Sequence, residues 1–257
     1  MRLLLANRAQ LIRATIYLSC TVFLPFSFAT ALKVDLPADQ ITLEYQSPVR
    51  LEQVLSDITQ QDTETVPSRY PLANQLFNLD KQEQAEKIKQ DALKELQVLA
   101  TEGVLPKESA GIIREQINSW NIAYRELIEL DLDQIRTHVP SNPMLQGHFE
   151  FVSPMRNQVL SFEGLLFSPQ RVEFDSSTPL SSYLSKLKLL SSAHPSYAWV
   201  VYPNGDYVRA GYAYWNNQGT QLAPGTIVFV GFNSEAKAVL QLEERIVKLI
   251  TMRRSTK

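Results

Sequence analysis

The sequence predicts an α+β protein made of two small repeated units in tandem, with an inserted helical hairpin and a C-terminal amphipathic helix. Short runs rich in β-branched and aromatic residues alternate with polar turns near both ends of the chain, as in strands. Three longer segments place apolar residues three and four positions apart, as in helices. A strand end followed by a similar helix start occurs at residues 44–55 and 173–184, which indicates an internal duplication.

Residues 1–31 have the pattern of a cleavable signal peptide. The segment starts with three basic residues and no acidic one, continues as an apolar run over residues 14–28, and ends in an A-x-A motif. The alternative is an uncleaved membrane anchor, but the apolar run is shorter than the ~20 residues that a membrane-spanning helix needs. We therefore expect export to the periplasm and no transmembrane span after cleavage.

The composition argues against several classes of function. The chain of 257 residues has 25 basic and 27 acidic residues, and loss of residues 1–31 would leave 22 basic ones and a net charge of −5. A net negative charge disfavours a nucleic-acid partner. The single cysteine, Cys20, lies in the apolar part of the signal segment, so the exported chain would have no disulfide and no cysteine-based metal site.

The first unit is predicted over residues 32–140. Two short strands, at residues 32–36 and 40–45, precede a helix at residues 49–58. The apolar residues of that helix share one face: Leu51, Val54, Leu55 and Ile58. Strand, strand and helix in this order are the opening of a β-grasp (ubiquitin-like) domain. Residues 60–79 are polar and irregular, and we expect them to lead out of the compact unit.

A helical hairpin is predicted as an insertion in the first unit, over about residues 81–123. Apolar stripes predict helices at residues 81–101 and 108–123, and the short link between them predicts that they lie antiparallel. Residues 124–130 and 131–137 return to a strand-like pattern, which would complete the first unit.

The second unit is predicted over residues 141–232. Its boundary is marked by Asn142 and Pro143. The expected strands are residues 148–153, 158–167, 197–202, 206–211 and 226–230, with a helix at residues 178–190. The sequence Pro-Asn-Gly-Asp at residues 203–206 predicts a tight turn between two of these strands.

The last segment, residues 233–257, contains a helix predicted over residues 234–252. One side is apolar: Val239, Leu242, Ile246 and Leu249. The other side is charged: Glu243, Glu244, Arg245 and Lys248. We expect the helix to dock on its own domains, because burying one Leu or Ile side chain is worth roughly 1.5–3 kcal/mol. The alternative is a helix offered to a membrane surface or to a partner protein.

The sequence has no motif typical of an active site. His138, His148 and His194 have no metal-binding spacing, and there is no G-x-S-x-G turn and no Gly-rich phosphate loop. We therefore expect no metal, no cofactor and no catalysis.

Two carboxylate pairs support an alternative function, a polysaccharide-binding or polysaccharide-modifying enzyme. The pairs are Asp131 with Asp133 and Glu126 with Glu129, and two carboxylates are what glycoside hydrolysis requires. Carboxylates two or three residues apart on a strand or turn are usually solvated, so we favour a protein without catalysis.

Three residues are candidate contacts for polysaccharide or a partner. Tyr212, Tyr214 and Trp215 lie at a loop, so we expect their rings to be exposed, and Tyr214 and Trp215 are the candidates to stack against sugars. Arg125 lies where the helical hairpin rejoins the first unit, and we expect a cleft there with a partly accessible guanidinium. It would bind an acidic sugar or pair with Glu126 or Asp131.

Several motifs in order resemble a known family. The pieces YPNG, YWNN and LAPGTIVFVGF within residues 195–232, followed by one amphipathic helix, resemble the C-terminal half of GfcC-type capsule-biosynthesis proteins. PGTIVFVG also resembles the β-grasp repeats of the outer-membrane polysaccharide export family. The junction from Arg125 through Arg136 to the NPxLxG motif of residues 142–147 is similar to the same region of GfcC-type proteins, which adds Arg136 to the candidate contacts.

The resemblance implies a non-enzymatic periplasmic accessory protein of capsule, O-antigen or exopolysaccharide biosynthesis or export. The partners that it implies are polysaccharide or the outer-membrane polysaccharide export machinery. In the export-channel family a C-terminal amphipathic helix lines the outer-membrane pore. A helix-mediated assembly partner of such a channel is therefore a further alternative.

Overall fold

A computed structural model describes residues 31–61 and 69–254. Within these ranges the protein is a mixed α/β structure with three β-sheets and six α-helices. None of the helices in the described ranges is long and apolar enough to cross a membrane. Apart from Ala31, the predicted signal peptide lies outside the described residues, so its cleavage stays a prediction.

The described residues form twelve strands, six α-helices and three short 3-10 helices. The strands are β1 (Leu32–Leu36), β2 (Ile41–Tyr45), β3 (Val49–Arg50), β4 (Gln75–Asn78), β5 (Tyr124–Glu126), β6 (Met144–Leu145), β7 (Gly147–Val152), β8 (Val159–Gly164), β9 (Gln170–Glu173), β10 (Tyr197–Val201), β11 (Tyr207–Gly211) and β12 (Ile227–Val230). The α-helices are α1 (Leu51–Gln61), α2 (Gln82–Thr101), α3 (Lys107–Ser119), α4 (Leu132–Thr137), α5 (Leu180–Leu184) and α6 (Lys237–Thr251). The 3-10 helices are Pro71–Ala73, Leu79–Lys81 and Val139–Ser141.

The first sheet has the strand order β2–β1–β7–β4–β5. Strands β1 and β7 are parallel, with Val34 opposite Phe149, and the other neighbours are antiparallel. Alternate residues of β1 are buried, as expected for a strand with one face in a core. This core joins the sheet to α1 and α4 through Leu32, Val34, Leu51, Val54, Ile58, Ile135, Phe149 and Phe151.

The second sheet has the order β9–β8–β12–β10–β11. This is the order of the first sheet when the five strands of each sheet are numbered along the chain. In both sheets the first strand pairs antiparallel with the second and parallel with the last. The internal repeat that the sequence indicated therefore has a counterpart in strand order.

The helical hairpin of α2 and α3 is inserted between the third and fourth strands of the first sheet. The equivalent connection in the second sheet is the turn at residues 203–206. Helix α2 differs from its predicted range by one residue at the start, whereas α3 ends at Ser119, four residues before the predicted end. The chain leaves the helix there because Trp120 has an extended backbone.

The hairpin packs its apolar side against the second unit. Leu96, Ile113 and Ile117 are buried in one core with strands β8, β10 and β12 and with α6. The side chain of Gln116 donates to the backbone oxygen of Gly164 at 2.9 Å and accepts from its N–H at 3.0 Å. An insertion in the first unit therefore forms part of the core of the second.

Helix α6 packs against α2 and β10 in the same core. One residue on its expected charged side is buried: Glu243 is 2% exposed. Its carboxylate accepts hydrogen bonds from the indole N–H of Trp199 at 2.8 Å and the backbone N–H of Phe232 at 2.6 Å. Burial raises the pKa of Glu243, and the two hydrogen bonds oppose that shift. The expectation that Glu243 lies on the charged, solvent-facing side was wrong. The spacing of apolar residues along the helix does not reveal that Trp199 and Phe232 donate to its carboxylate.

One strand lies in a different sheet from the one predicted. Residues 148–153 were assigned to the second unit, but β7 is the central strand of the first sheet. Its parallel partner β1 lies more than a hundred residues away in the sequence, and a local pattern does not identify so distant a partner. Strand β4, also in the first sheet, lies in the segment expected to be irregular.

Three helix assignments also differ from the prediction. Residues 131–137 were expected as a strand, but Asp131 accepts the N–H groups of Asp133 and Gln134 and so starts helix α4. Residues 178–190 contain only the short helix α5, because residues 188–190 pair with residues 165–167 instead. The first helix was expected to start at residue 49 but starts at Leu51, because residues 49 and 50 form strand β3, which pairs with β6.

Candidate functional site

A cavity of about 360 Å³ lies between the two units. The first unit contributes β5, the start of β4 and the residues that precede β4. The second unit contributes β8, β9, β12 and the end of α6. The lining includes two tyrosines and four arginines: Tyr70, Tyr202, Arg125, Arg171, Arg253 and Arg254. Arginine side chains suit acidic groups, so the state of each guanidinium decides what this cavity can bind.

Arg125 is buried at this junction and is 5% exposed. Its guanidinium donates to three backbone oxygens, those of Asn74 at 3.3 Å, Pro203 at 2.8 Å and Thr251 at 3.4 Å. Burial lowers its pKa to about 10, with the Asp206 carboxylate opposing the shift, so the side chain stays charged at neutral pH. The expectation of a partly accessible guanidinium was wrong.

The predicted turn at residues 203–206 closes over Arg125. Gly205 has a φ of 97°, which favours glycine. A Cβ at this position would lie 2.6 Å from Leu127 Cδ2 and 3.3 Å from Arg125 Cζ. The turn of the second unit can therefore approach the arginine of the first unit only with glycine at this position.

The arginines after α6 are held by acids of both sheets. Arg253 Nη1 lies 2.6 Å from Glu163 on β8, and Arg254 binds Glu150 on β7 through two nitrogens, with Nε at 3.0 Å. In the described part of the chain Arg171 is exposed and has no ion-pair partner. Three of the four guanidinium groups thus link parts of the protein, and one remains available at the rim.

Arg136 links two helices of the first unit. It lies on α4, and its guanidinium is 3.5 Å from Glu52 and 3.4 Å from Ser56, both on α1, and 4.0 Å from Asp133. The side chain is half exposed. Since Arg125 lies at the junction of the units, the structure does not bring the two candidate arginines into one site.

Three of the four candidate carboxylates accept bonds within local structure, and the fourth, Asp133, is 95% exposed. Glu126 forms an ion pair with Lys81 at 2.6 Å and accepts from Asn78, while Glu129 accepts the backbone N–H groups of Leu130 and Asp131. Asp131 starts helix α4 as described above. Neither predicted pair is arranged around a common cleft; instead, Glu129 and Asp131 line a second cavity of about 360 Å³ beside the turn at residues 203–206.

The histidines are separate from one another. His148 lies 2.6 Å from Asp35, and His138 follows the last turn of α4. His194 accepts the N–H groups of Ser196 and Tyr197 at Nδ1, and its Nε2 lies 2.9 Å from Glu235. Burial lowers the pKa of His194, and the Glu235 carboxylate opposes the shift. No group of three or more metal-ligating side chains occurs within the described ranges.

The two aromatic candidates lie in the connection between β11 and β12. Tyr214 is 100% exposed and Trp215 is 75% exposed, so their predicted exposure is confirmed. The expected exposure of Tyr212 was wrong: the side chain is partly buried, its hydroxyl donates to the backbone oxygen of His194 at 2.6 Å, and burial raises its pKa to about 12. Contact of Tyr214 and Trp215 with polysaccharide stays a prediction.

The cavity beside α5 was not predicted from the sequence. It measures about 680 Å³ and is lined by Val172, Phe174, Tyr183, Lys186 and Leu187 among others. It lies beside the region where residues 178–190 were predicted to continue as a helix. The alternation of Lys and Leu over residues 186–189 is a strand-like signal that favours an end of the helix, but it does not reveal a cavity.

Comparison with known proteins relates the chain to one family along most of its length. The family model described as capsule biosynthesis GfcC, N-terminal, matches residues 29–155, and the model described as capsule biosynthesis GfcC C-terminal matches residues 168–255. A protein of Escherichia coli (strain K12), described as uncharacterized protein YjbG, is 41% identical over 120 residues. This match covers 46% of the chain and 49% of the relative, so it spans about half the length of each.

Proposed function

Because the chain belongs to the GfcC family of capsule biosynthesis proteins, we propose that it is a non-catalytic accessory protein of polysaccharide biosynthesis or export. The polymer would be a capsule, an O-antigen or another exopolysaccharide. The observation that carries this proposal is that models of both halves of the family match, one after the other, in the same chain. The partners would be the polysaccharide or the outer-membrane export machinery.

The proposed location is the periplasm. It is supported by the pattern of residues 1–31, in which a basic start, an apolar run and an A-x-A motif follow one another. Capsule polymers act outside the cytoplasm, which agrees with an exported protein.

We further propose that each five-stranded sheet with its own helix, α1 or α5, is a β-grasp unit. The support is the shared strand order, with a parallel central pair made of the first and last strands. Since β7 lies in the first sheet, the proposed boundary between the units follows Val152 and not residue 140.

The four candidate contacts divide into two groups in this proposal. Arg125 and Arg136 hold parts of the fold together, because their guanidinium groups bind backbone oxygens or neighbouring side chains. Tyr214 and Trp215 are the residues offered to polymer, because their rings are exposed. The absence of catalysis is proposed because Glu126, Glu129 and Asp131 are all engaged in local bonds.

The proposal is tested by deleting the gene in its source strain and measuring the amount and length of surface polysaccharide. We expect less polymer at the surface, restored by the intact gene and equally by Asp131→Asn. Asparagine caps helices as well as aspartate does, so this variant keeps α4 and removes only the carboxylate.

Two results would contradict the proposal. Surface polymer that is unchanged by the deletion would exclude a role in its biosynthesis or export. Restoration by the intact gene but not by a well-expressed Asp131→Asn variant would favour the polysaccharide-modifying enzyme. Recovery of the protein in the fraction released by osmotic shock checks the location.

A further inference from the structure

The connection between β11 and β12 exposes two large aromatic side chains next to each other. Tyr214 and Trp215 are among the most exposed large hydrophobic residues of the described chain. Leaving such rings in water forgoes the free energy that burial would provide. Adjacent exposed rings of this kind mark interaction sites more often than single exposed apolar residues do.

The loop that carries these rings is held in one conformation by its neighbours. The Asn216 side chain accepts the N–H of Ala213 at 3.0 Å and donates to the backbone oxygen of Ser196 at 3.1 Å. A Cβ on Gly211 would lie 2.3 Å from the backbone oxygen of Asn216, so the loop lies directly on the end of β11. The Asn217 amide also donates to Ser181 on α5 at 3.1 Å.

This fixed conformation matters for binding. A flexible loop loses conformational entropy when it binds a ligand, and a loop already held in place loses less. The bonds of Asn216 and Asn217 flank Tyr214 and Trp215 but use neither ring. The surrounding structure therefore presents the two rings without covering them.

The loop also has no charge. Residues 212–226 contain no Asp, Glu, Lys, Arg or His, and the three residues that follow the rings, Asn216, Asn217 and Gln218, carry neutral amides. A segment that binds an anionic membrane surface normally carries Lys or Arg. An acidic sugar would likewise need a cation near the rings. The chemistry present fits uncharged groups that combine apolar faces with hydroxyls.

We propose that Tyr214 and Trp215 form a stacking site for neutral sugar residues of a polysaccharide. The proposal rests on the proposed function and deepens it by naming the ligand class. The C–H face of a pyranose ring would lie on the Trp215 indole or the Tyr214 phenol, both of which combine an apolar ring with a polar group. Asn217 and Gln218 are exposed, and the amide hydrogens that they do not use within the loop would bond its hydroxyl groups.

Tryptophan fluorescence of the exported chain tests this site directly. The protein has three tryptophans: Trp120 is buried, the Trp199 indole N–H is bound to Glu243, and Trp215 is exposed. Hexamers of β-1,4-glucan, α-1,4-glucan and β-1,4-galactan serve as neutral probes. Oligogalacturonate is the acidic probe, and phosphatidylglycerol vesicles represent a membrane surface.

We expect at least one neutral hexamer to shift the emission to the blue and to protect Trp215 from quenching by acrylamide. Trp215→Ala should abolish both signals and weaken binding, measured by calorimetry, at least about tenfold. Tyr214→Ala should weaken it several-fold. The matched control is Phe167→Ala, which removes a ring that is 73% exposed in the same unit and should leave the affinity unchanged.

Other outcomes overturn the proposal. They are no binding of any neutral hexamer at millimolar concentration, equal binding by Trp215→Ala, or a response only to oligogalacturonate or only to vesicles. This test is independent of the gene deletion. A deletion that reduces surface polymer while Trp215→Ala restores it fully would reject the stacking site and keep the proposed function.

Discussion

The two five-stranded sheets share one strand order, but different elements cover them. The first sheet shares its core with α1 and α4. The second has only the short α5 in the position equivalent to α1, and its core is completed by α2, α3 and α6. Two of these three helices belong to the insertion between β4 and β5 of the first unit. A repeat can thus keep its strand order while an insertion in one copy supplies the core of the other.

One face of the first sheet shows why fewer helices pack against this sheet. Away from α1, its strands carry polar side chains that bond one another. At the β1–β2 edge, Asp35 accepts from Thr42 at 2.8 Å and lies 2.6 Å from His148. This edge can remain next to water, whereas Glu150 at the centre of the same face is 6% exposed and is covered through its ion pair with Arg254. The apolar residues of β8, β10 and β12 require a packed partner.

The largest effect is expected from removing apolar volume where the hairpin enters the second core. Ile117→Ala should lower the free energy of unfolding by about 2–5 kcal/mol, because the residue is fully buried and leaves a cavity. Val98→Ala on the exposed side of the same hairpin should change it by less than about 0.5 kcal/mol. Urea unfolding of both variants measures the difference, and equal values would mean that the hairpin does not stabilise the core.

A smaller effect is expected at the junction between the units. Arg125→Met should cost about 1–3 kcal/mol, because it removes the donor from three backbone oxygens in a buried position. Arg136→Met, which removes a half-exposed guanidinium, should cost about 0–1 kcal/mol.

The same two variants separate a structural role from a binding role. If Arg125 is structural, surface polymer should fall only as far as the level of folded protein falls. A stable, well-expressed Arg125→Met protein that no longer supports polymer output would show that the guanidinium binds a ligand instead.

The smallest effect is expected from a titration confined to the second unit. Burial lowers the pKa of His194 in the folded protein below its usual 6.5. Below pH 6.5 the unfolded chain therefore binds a proton that the folded chain resists, and stability falls as the pH decreases. His194→Asn, whose side-chain oxygen can replace Nδ1 as acceptor, should show a shallower fall between pH 7.5 and pH 5.5 in urea unfolding. An identical slope would exclude this titration as a cause.

The sequence predicts best the parts of the fold that depend on local pattern. Helix α2 agrees with its prediction to within one residue, because its apolar stripe runs uninterrupted to Thr101. The exposure of Tyr214 and Trp215 follows from their position in a polar loop without strand alternation.

Several of the failures share one physical cause, which is pairing between distant segments, whereas helix α4 was missed for a local reason, the Asp131 cap. The alternation in β7 identifies a strand but not its partner β1. Likewise, Arg125 is buried by the segments around Asn74, Pro203 and Thr251, none of which is adjacent in the sequence. Helix α5 ends early because the following residues pair with residues 165–167.

Native-state hydrogen exchange of Gln116→Ala tests most directly whether the insertion of the first unit supports the second. This variant removes both hydrogen bonds between α3 and Gly164 at the end of β8 and leaves the first sheet untouched. We expect faster exchange of the amides of β8 and β12, with the amides of β1 and β2 unchanged. Unchanged exchange in β8 and β12, or an equal increase in both sheets, would contradict the account.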